Sequence, residues 1–264
     1  MRRLLFALLV ACGNSADNPD ASIAHDSTPI DARPIDAPPV QHQGLITLSG
    51  SALTGSAPSA SVSTSFSDGP PMGAPIATDG PCTTYPTSAH GAYSAGAIAV
   101  TGTTTALTLT PNGTPPNVHY TTAPSAPVAL FTAGATIHLA AAGATDFVAF
   151  AGDVTGPTAI AGFTPPTTVS VSGQTFTWTA DASSTIMQIA VYAATAQAAS
   201  LMLCRVPDNG SFRIPSTSFA LLTQNPTTAF IALGRTDEKV VATASGSVTL
   251  QAVNAMGSTV TFTP

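Results

Sequence analysis

From about Leu45 onward, apolar and polar residues alternate with a period of two. That spacing puts one face of a strand on a core and the other toward water. The clearest runs are Leu45-Ile46-Thr47-Leu48-Ser49, Ala97-Ile98-Ala99-Val100-Thr101, Ala106-Leu107-Thr108-Leu109-Thr110, Thr136-Ile137-His138-Leu139-Ala140 and Phe147-Val148-Ala149-Phe150. They continue with 168–171, 175–179, 186–192, 201–204, 230–233 and 248–253. Glycine and proline fall between the runs and mark turns. A short helix competes with strand only at Ala193 to Met202, which is rich in Ala, Gln and Leu.

Strands at short spacing without intervening helices predict an all-β chain built as β-sandwiches. The stretch after residue 42 is long for one immunoglobulin-like unit and comfortable for two. Two immunoglobulin- or fibronectin-III-like units are expected, 43–153 and 154–264, divided at Asp153-Val154-Thr155-Gly156-Pro157. One large sandwich over 43–264 is the alternative. Trp178, the sole tryptophan, sits on an early strand of the second unit, as the core tryptophan of such domains does. Fold-level analogy of this kind carries no function.

The alternation is absent from the first 42 residues. Met1-Arg2-Arg3 is basic, Leu4 to Ala11 is an apolar run of eight residues, and Cys12 follows. Eight residues reach about 12 Å as a helix, well short of a bilayer, so 1–11 reads as a secretion signal. Residues 13–42 then hold five acids, one base, five prolines and no aromatic residue. Such a segment cannot bury enough apolar area to offset its ordering entropy. Within it, Asp26-Ser27-Thr28-Pro29-Ile30, Asp31-Ala32-Arg33-Pro34-Ile35 and Asp36-Ala37-Pro38-Pro39-Val40 are successive pentads, each with a leading Asp and at least one proline. Proline and like charge both extend the chain, giving the pentads a reach of roughly 45 Å. The expectation is a disordered tether over 12–42.

Leu9-Val10-Ala11-Cys12 resembles the bacterial lipobox, in which the cysteine thiol receives a diacylglycerol before cleavage. With the Asp-Ala-x-Pro-Ile repeat, it resembles the exported lipoproteins of myxobacteria and related bacteria. The stretch Cys204-Arg205-Val206-Pro207-Asp208-Asn209-Gly210-Ser211-Phe212-Arg213-Ile214-Pro215 is similar to one that recurs in such lipoproteins. The resemblance implies lipidation at Cys12 and anchoring to a membrane without spanning it. Gly13, where inner-membrane retention favours Asp, implies sorting to the outer membrane or cell surface of a Gram-negative bacterium. No activity comes with the resemblance.

Composition narrows the function classes. Only 8% of residues are charged, and the formal net charge is −6. Seven Lys and Arg scattered over the chain offer no basic patch for nucleic acid. The region after residue 42 carries twelve charges with a net of −4, so its solubility rests on Thr and Ser hydroxyls. With Cys12 lipidated, Cys82 and Cys204 remain as an even pair in an oxidising compartment, and a disulfide between them is expected.

Chemistry-bearing motifs are sparse. Ala92-Tyr93-Ser94-Ala95-Gly96 is a variant of the nucleophile elbow with His90 nearby and Asp146 as a candidate acid, but strand-like residues follow where the elbow needs a helix. His90, His119 and His138 stand singly, without metal-ligand spacing, so no metal or cofactor is expected. Asp208-Asn209-Gly210-Ser211 reads as a tight turn, with Arg205 and Arg213 placed to pair with Asp208 or Asp181 at the surface. Arg235-Thr236-Asp237-Glu238-Lys239 reads as a solvated hairpin tip, and Arg235, Asp237, Glu238 and Lys239 as a candidate partner-contact loop. Tyr85, Tyr93 and Tyr120 are candidates for stacking on sugars. The expected function is a non-catalytic, surface-anchored structural or adhesive role, with a protein or polysaccharide of the cell surface as partner. A displayed carbohydrate-binding module is the alternative, and a secreted hydrolase using Ser94 comes third.

Overall fold

A computed structural model of the chain describes residues 42–54, 57–70, 72–86, 93–123, 129–182 and 186–264. The expected signal segment, Cys12, the expected tether up to residue 41 and His90 lie outside the described residues. The first strands are β1 (His42–Leu53), β2 (Ser59–Ser67), β3 (Ala77–Asp79) and β4 (Cys82–Pro86). Next come β5 (Ile98–Thr101), β6 (Leu107–Asn112), β7 (His119–Ala123), β8 (Thr136–Ala141) and β9 (Phe150–Thr155). Then follow β10 (Thr168–Ser170), β11 (Gly173–Thr177), β12 (Ile186–Ala194), β13 (Ala199–Pro207) and β14 (Ser211–Pro215). The short helix α1 (Ser216–Phe219) precedes β15 (Thr228–Thr243) and β16 (Gly246–Thr263). The chain is all-β, as the alternating pattern predicts. Ala193 to Met202 is the end of β12, a tight turn and the start of β13, not a helix.

One nine-stranded sheet organises the molecule, in the order β2-β1-β16-β15-β12-β13-β4-β3, with β10 beside the far end of β16. A second sheet of five strands runs β7-β6-β5-β8-β9, and β11 pairs with β14. Strands from both sides of the expected division near residue 153 share the large sheet, so the two halves are not separate sandwiches. The reason lies in β16, which runs for eighteen residues and gives one face to two cores. Near its start Val248, Leu250 and Ala252 pack with Ile46, Leu48 and Phe66 against the five-stranded sheet. Farther along the same face, Met256, Val260 and Phe262 join Ile189, Ile231, Phe176, Trp178 and Phe219 in the other core. On the opposite face of the sheet, Phe230, Ala232, Leu201, Leu203, Val253, Ala255 and Tyr85 form a third cluster.

The β15–β16 hairpin closes at Ala244-Ser245, where β1 also begins: the His42 amide donates to the Ser245 carbonyl. Gly246 has φ +143°, and a Cβ there would stand 1.8 Å from the His42 carbonyl oxygen. Glycine is therefore required at the point where three strands converge.

Candidate functional site

The segment 235–239 is not a hairpin tip. It lies in the middle of β15, and Arg235 is 2% exposed. Arg235 Nε donates to Asp208 Oδ2 at 2.8 Å, and its two terminal nitrogens donate to the Ala159 and Thr179 carbonyls and to Thr158 Oγ1. Asp208 Oδ1 accepts the Trp178 indole N–H. The Asp208 carboxylate is fully buried. On the same face of β15, Asp237 accepts the amide of Thr155 on β9. Two of the four expected contact residues thus stitch the large sheet to its covering layers. A buried charge stays charged only when paired and fully hydrogen-bonded, which is the arrangement found.

Glu238 points to the opposite face. It takes both terminal nitrogens of Arg205, at 3.0 and 2.9 Å, and the Gln251 amide at 3.1 Å. Thr47 continues the line by donating to Gln251. Only Lys239 keeps an exposed position among the four expected contact residues. The expected pairing of Arg205 and Arg213 with Asp208 or Asp181 is replaced by these bonds, and Arg213 reaches the Ser172 carbonyl instead. The turn at 208–210 is present between β13 and β14, with Gly210 at φ +93°.

Cys82 and Cys204 face each other across β4 and β13, with their sulfurs 2.04 Å apart. The bridge therefore fastens the short β3–β4 edge to the middle of the sheet.

Of the elbow residues, Tyr93 to Gly96 are described and form an irregular segment leading into β5. Ser94 Oγ accepts the Gly96 amide, and Asp146 accepts the Ser94 amide at 3.3 Å, so serine and acid are neighbours through the backbone. A strand, β5, follows in place of a helix. Tyr120 holds the same segment, its hydroxyl accepting from Ala95 N and donating to the Gly96 carbonyl. Burial, above all, pushes the Tyr120 hydroxyl up from its ordinary value. The candidate stacking residues are thus largely engaged: Tyr85 is buried, and the Tyr93 hydroxyl donates to Asp68. His138 Nδ1 lies 2.6 Å from Asp153 Oδ1 on the exposed face of the five-stranded sheet, and His119 stands exposed on β7. Among the described residues no three His, Cys, Asp or Glu side chains group as metal ligands.

Two features escape the sequence. A cleft of about 400 Å³ opens between the α1–β15 connection and the end of β16. Phe219, Val260 and Phe262 line its walls, and Gln224, Asn225, Thr227 and Thr263 its polar side. Asn225 adopts φ +48°, a conformation Asn tolerates better than other side chains, and no sequence pattern marks it. The other feature is where the carboxylates go. All eight after residue 42 accept a hydrogen bond: Asp68 from Tyr93, Asp79 from Thr217 and Ser218, Asp146 from Ser94, Asp153 with His138, Asp181 from Thr158, Asp208 from Arg235, Asp237 from Thr155 and Glu238 from Arg205.

With the charges so engaged, the outer face of the five-stranded sheet is hydroxyl and methyl. Ala123, Thr108, Ala99, Ala140 and Ala151 form one row across all five strands, flanked by Thr110 beside Thr121 and Thr136 beside Thr155. Among the described residues its ionisable side chains are Asp153, hydrogen-bonded to His138, and the exposed His119 on β7. No protein-family model, curated protein or solved structure matches the chain.

Proposed function

We propose that the protein is a non-catalytic lipoprotein, anchored through Cys12 at the outer membrane or cell surface, with an adhesive or recognition role. The observation that carries the reading is the outer face of the five-stranded sheet, poor in ionisable groups and rich in threonine and alanine. Such a face contacts a protein or polysaccharide through hydroxyl and methyl groups with little desolvation of charge. The internal use of the carboxylates supports the same reading, because it spends on architecture the groups that acid–base chemistry would need. The leader and the acidic spacer supply the anchor and the standoff distance.

Labelled palmitate tests the anchor: the wild-type chain incorporates it and Cys12→Ser does not. Label retained by the variant overturns anchoring at Cys12. Recognition is tested on the full-length lipoprotein by placing charge on the face with Ala99→Glu and Thr110→Lys. Loss of cell-to-cell or cell-to-surface adhesion, with the protein still displayed, is the expected result. Unchanged adhesion overturns the face as the recognition surface.

A further inference from the structure

β16 runs on past its partner. The last register pair of β15 with β16 is Ala229 with Val260, while β16 continues to Thr263. Over those final residues one edge of β16 is taken by β10: the Thr261 amide donates to the Thr167 carbonyl, and the Thr263 carbonyl accepts the Val171 amide. Main-chain groups along a strand point alternately to its two edges. With Thr261 and Thr263 turned toward β10, the Phe262 N–H and C=O point to the side that β15 has left. Among the described residues nothing bonds to either of them. Thr227 would pair with Phe262 if the ladder continued, but it donates its amide to the Ala194 carbonyl of β12 instead. Asn225, at φ +48°, and Pro226 come just before that departure.

The gap left by β15 is the cleft of about 400 Å³, a size within the range of sites that enclose ligands. An open strand edge is a template for another extended chain, which supplies the missing donor and acceptor together. A residue set opposite Phe262 exchanges both N–H···O=C bonds with it, as in any antiparallel pair of that kind. Its side chain then falls on the Phe262 face, beside the ring of Phe219, which meets that of Phe262 edge-on with centroids 6.0 Å apart. Val260 and Ala229, both buried, also line that part of the cleft. The residue that fits there is apolar.

The rest of the lining narrows the partner further. No side chain on the cleft ionises, so a charged group would leave water without a counter-charge. Asn225 and Thr263 line its polar side and suit small neutral residues flanking the apolar one. Thr261 to Thr263 lie along the gap, so the paired stretch is about 10 Å of extended chain. A second copy cannot insert its own β16 end, because that end is flanked by β10 on one edge and by the 223–227 connection on the other.

We propose that the end of β16 is a peptide-binding site, which takes an extended, uncharged segment of a partner protein with an apolar residue opposite Phe262. The site is remote from the five-stranded sheet's outer face and does not rest on that reading. Hydrogen exchange of the Phe262 amide, followed by NMR on the full-length protein, tests it with acetyl-Ser-Thr-Phe-Thr-Ser-amide as probe. The amide exchanges without protection in the free protein and about tenfold or more slowly with the peptide in excess. The same peptide N-methylated at its Phe gives no protection, and a version with Glu in place of Phe binds about tenfold or more weakly. Thr227→Trp, folded by circular dichroism, fills the cleft and abolishes protection; where that variant does not fold, the N-methylated peptide on the wild-type chain decides. No protection by the parent peptide, or equal protection by the N-methylated peptide or by glucose, overturns the site. Protection that appears without peptide and rises with protein concentration also overturns it, since a second copy would then be the occupant.

Discussion

Arg235 Nε and Asp208 Oδ2 meet at 2.8 Å beneath the large sheet, with side chains 3% and 0% exposed. The position is a seam. On the same face of β15, Leu233 belongs to one core and Val241 packs against the other, and Arg235 lies between them. Its guanidinium also holds the carbonyls of Ala159 and Thr179, so one side chain ties the segment leaving the five-stranded sheet to the loop after β11.

Removing either partner leaves the other buried and unpaired. Arg235→Met and Asp208→Leu are each expected to lower unfolding free energy by about 3–5 kcal/mol. Arg235→Lys also destabilises, because an ammonium cannot reproduce the planar fork. The double variant Arg235→Met/Asp208→Leu costs less than the sum of the singles. Urea unfolding of the four chains measures this, and strict additivity would show that the two groups do not act as a pair.

The bridge between Cys82 and Cys204 spans 122 positions of sequence. In the chain-entropy account, a loop of that length stabilises the fold by about 5 kcal/mol, and losses measured on removing native bridges run from about 2 to 5. The Cys82→Ala/Cys204→Ala protein is expected to unfold at correspondingly lower urea. Peptide mapping without reductant should recover the two cysteine peptides joined; two free thiols in the protein purified without reductant would contradict it.

Tyr120 gives the fold an alkaline limit. Its hydroxyl is held neutral in the folded protein chiefly by burial, while in the unfolded chain it ionises at about 10. Its contribution is complete below that pH and is lost as pH rises through the higher folded value. Tyr120→Phe removes the bonds with Ala95 and Gly96, is expected to cost about 1–3 kcal/mol near neutrality, and flattens the decline in stability above about pH 10. A decline as steep as in the wild type would assign the effect to another group.

Asp79 is set the other way. The hydroxyls of Thr217, first, and Ser218 hold its carboxyl below the ordinary value. Its contribution is present above the ordinary aspartate range and is lost as pH falls through the lowered folded value. NMR titration is expected to show the Asp79 midpoint moving up in Thr217→Ala and further in Thr217→Ala/Ser218→Ala. A midpoint unmoved in both would remove these hydroxyls as the cause.

Many of the strands are legible because a strand with one buried face must alternate, and the runs at Ile98, Leu107 and Ile137 do, while those at Ile186 and Val248, buried on both faces, are legible as short apolar runs. The failures have physical causes. Ser59–Ser67 does alternate serine with Ala60, Val62, Thr64 and Phe66, but Ala and Thr differ so little from serine in hydropathy that the period is faint, and its serine side lies beside Gln43, Thr47 and Ser49 of β1. In β15 the residues Arg235, Asp237 and Glu238 break the apolar rhythm and imitate a solvated tip. What keeps them within a strand is Asp208, Thr155 and Arg205, none of them near in sequence. The Asp208 turn reads correctly, while its partner does not, because turn chemistry is local and ion pairing across a sheet is not. Gln188 is hidden for the same reason: a glutamine between Met187 and Ile189 looks like an outward-facing strand residue until register buries it.

The parallel pairing of β1 with β16 sets the order of assembly. Thr47 and Gln251 lie in one register 204 positions apart, and β16 inserts between β1 and β15. Until β16 has been delivered, β1 has an open edge and neither main core can close. Contacts at such separation make folding slow, and the partly assembled chain carries exposed strand edges that invite mispairing. A chain of this design is most safely moved unfolded and allowed to fold after its last strand has arrived.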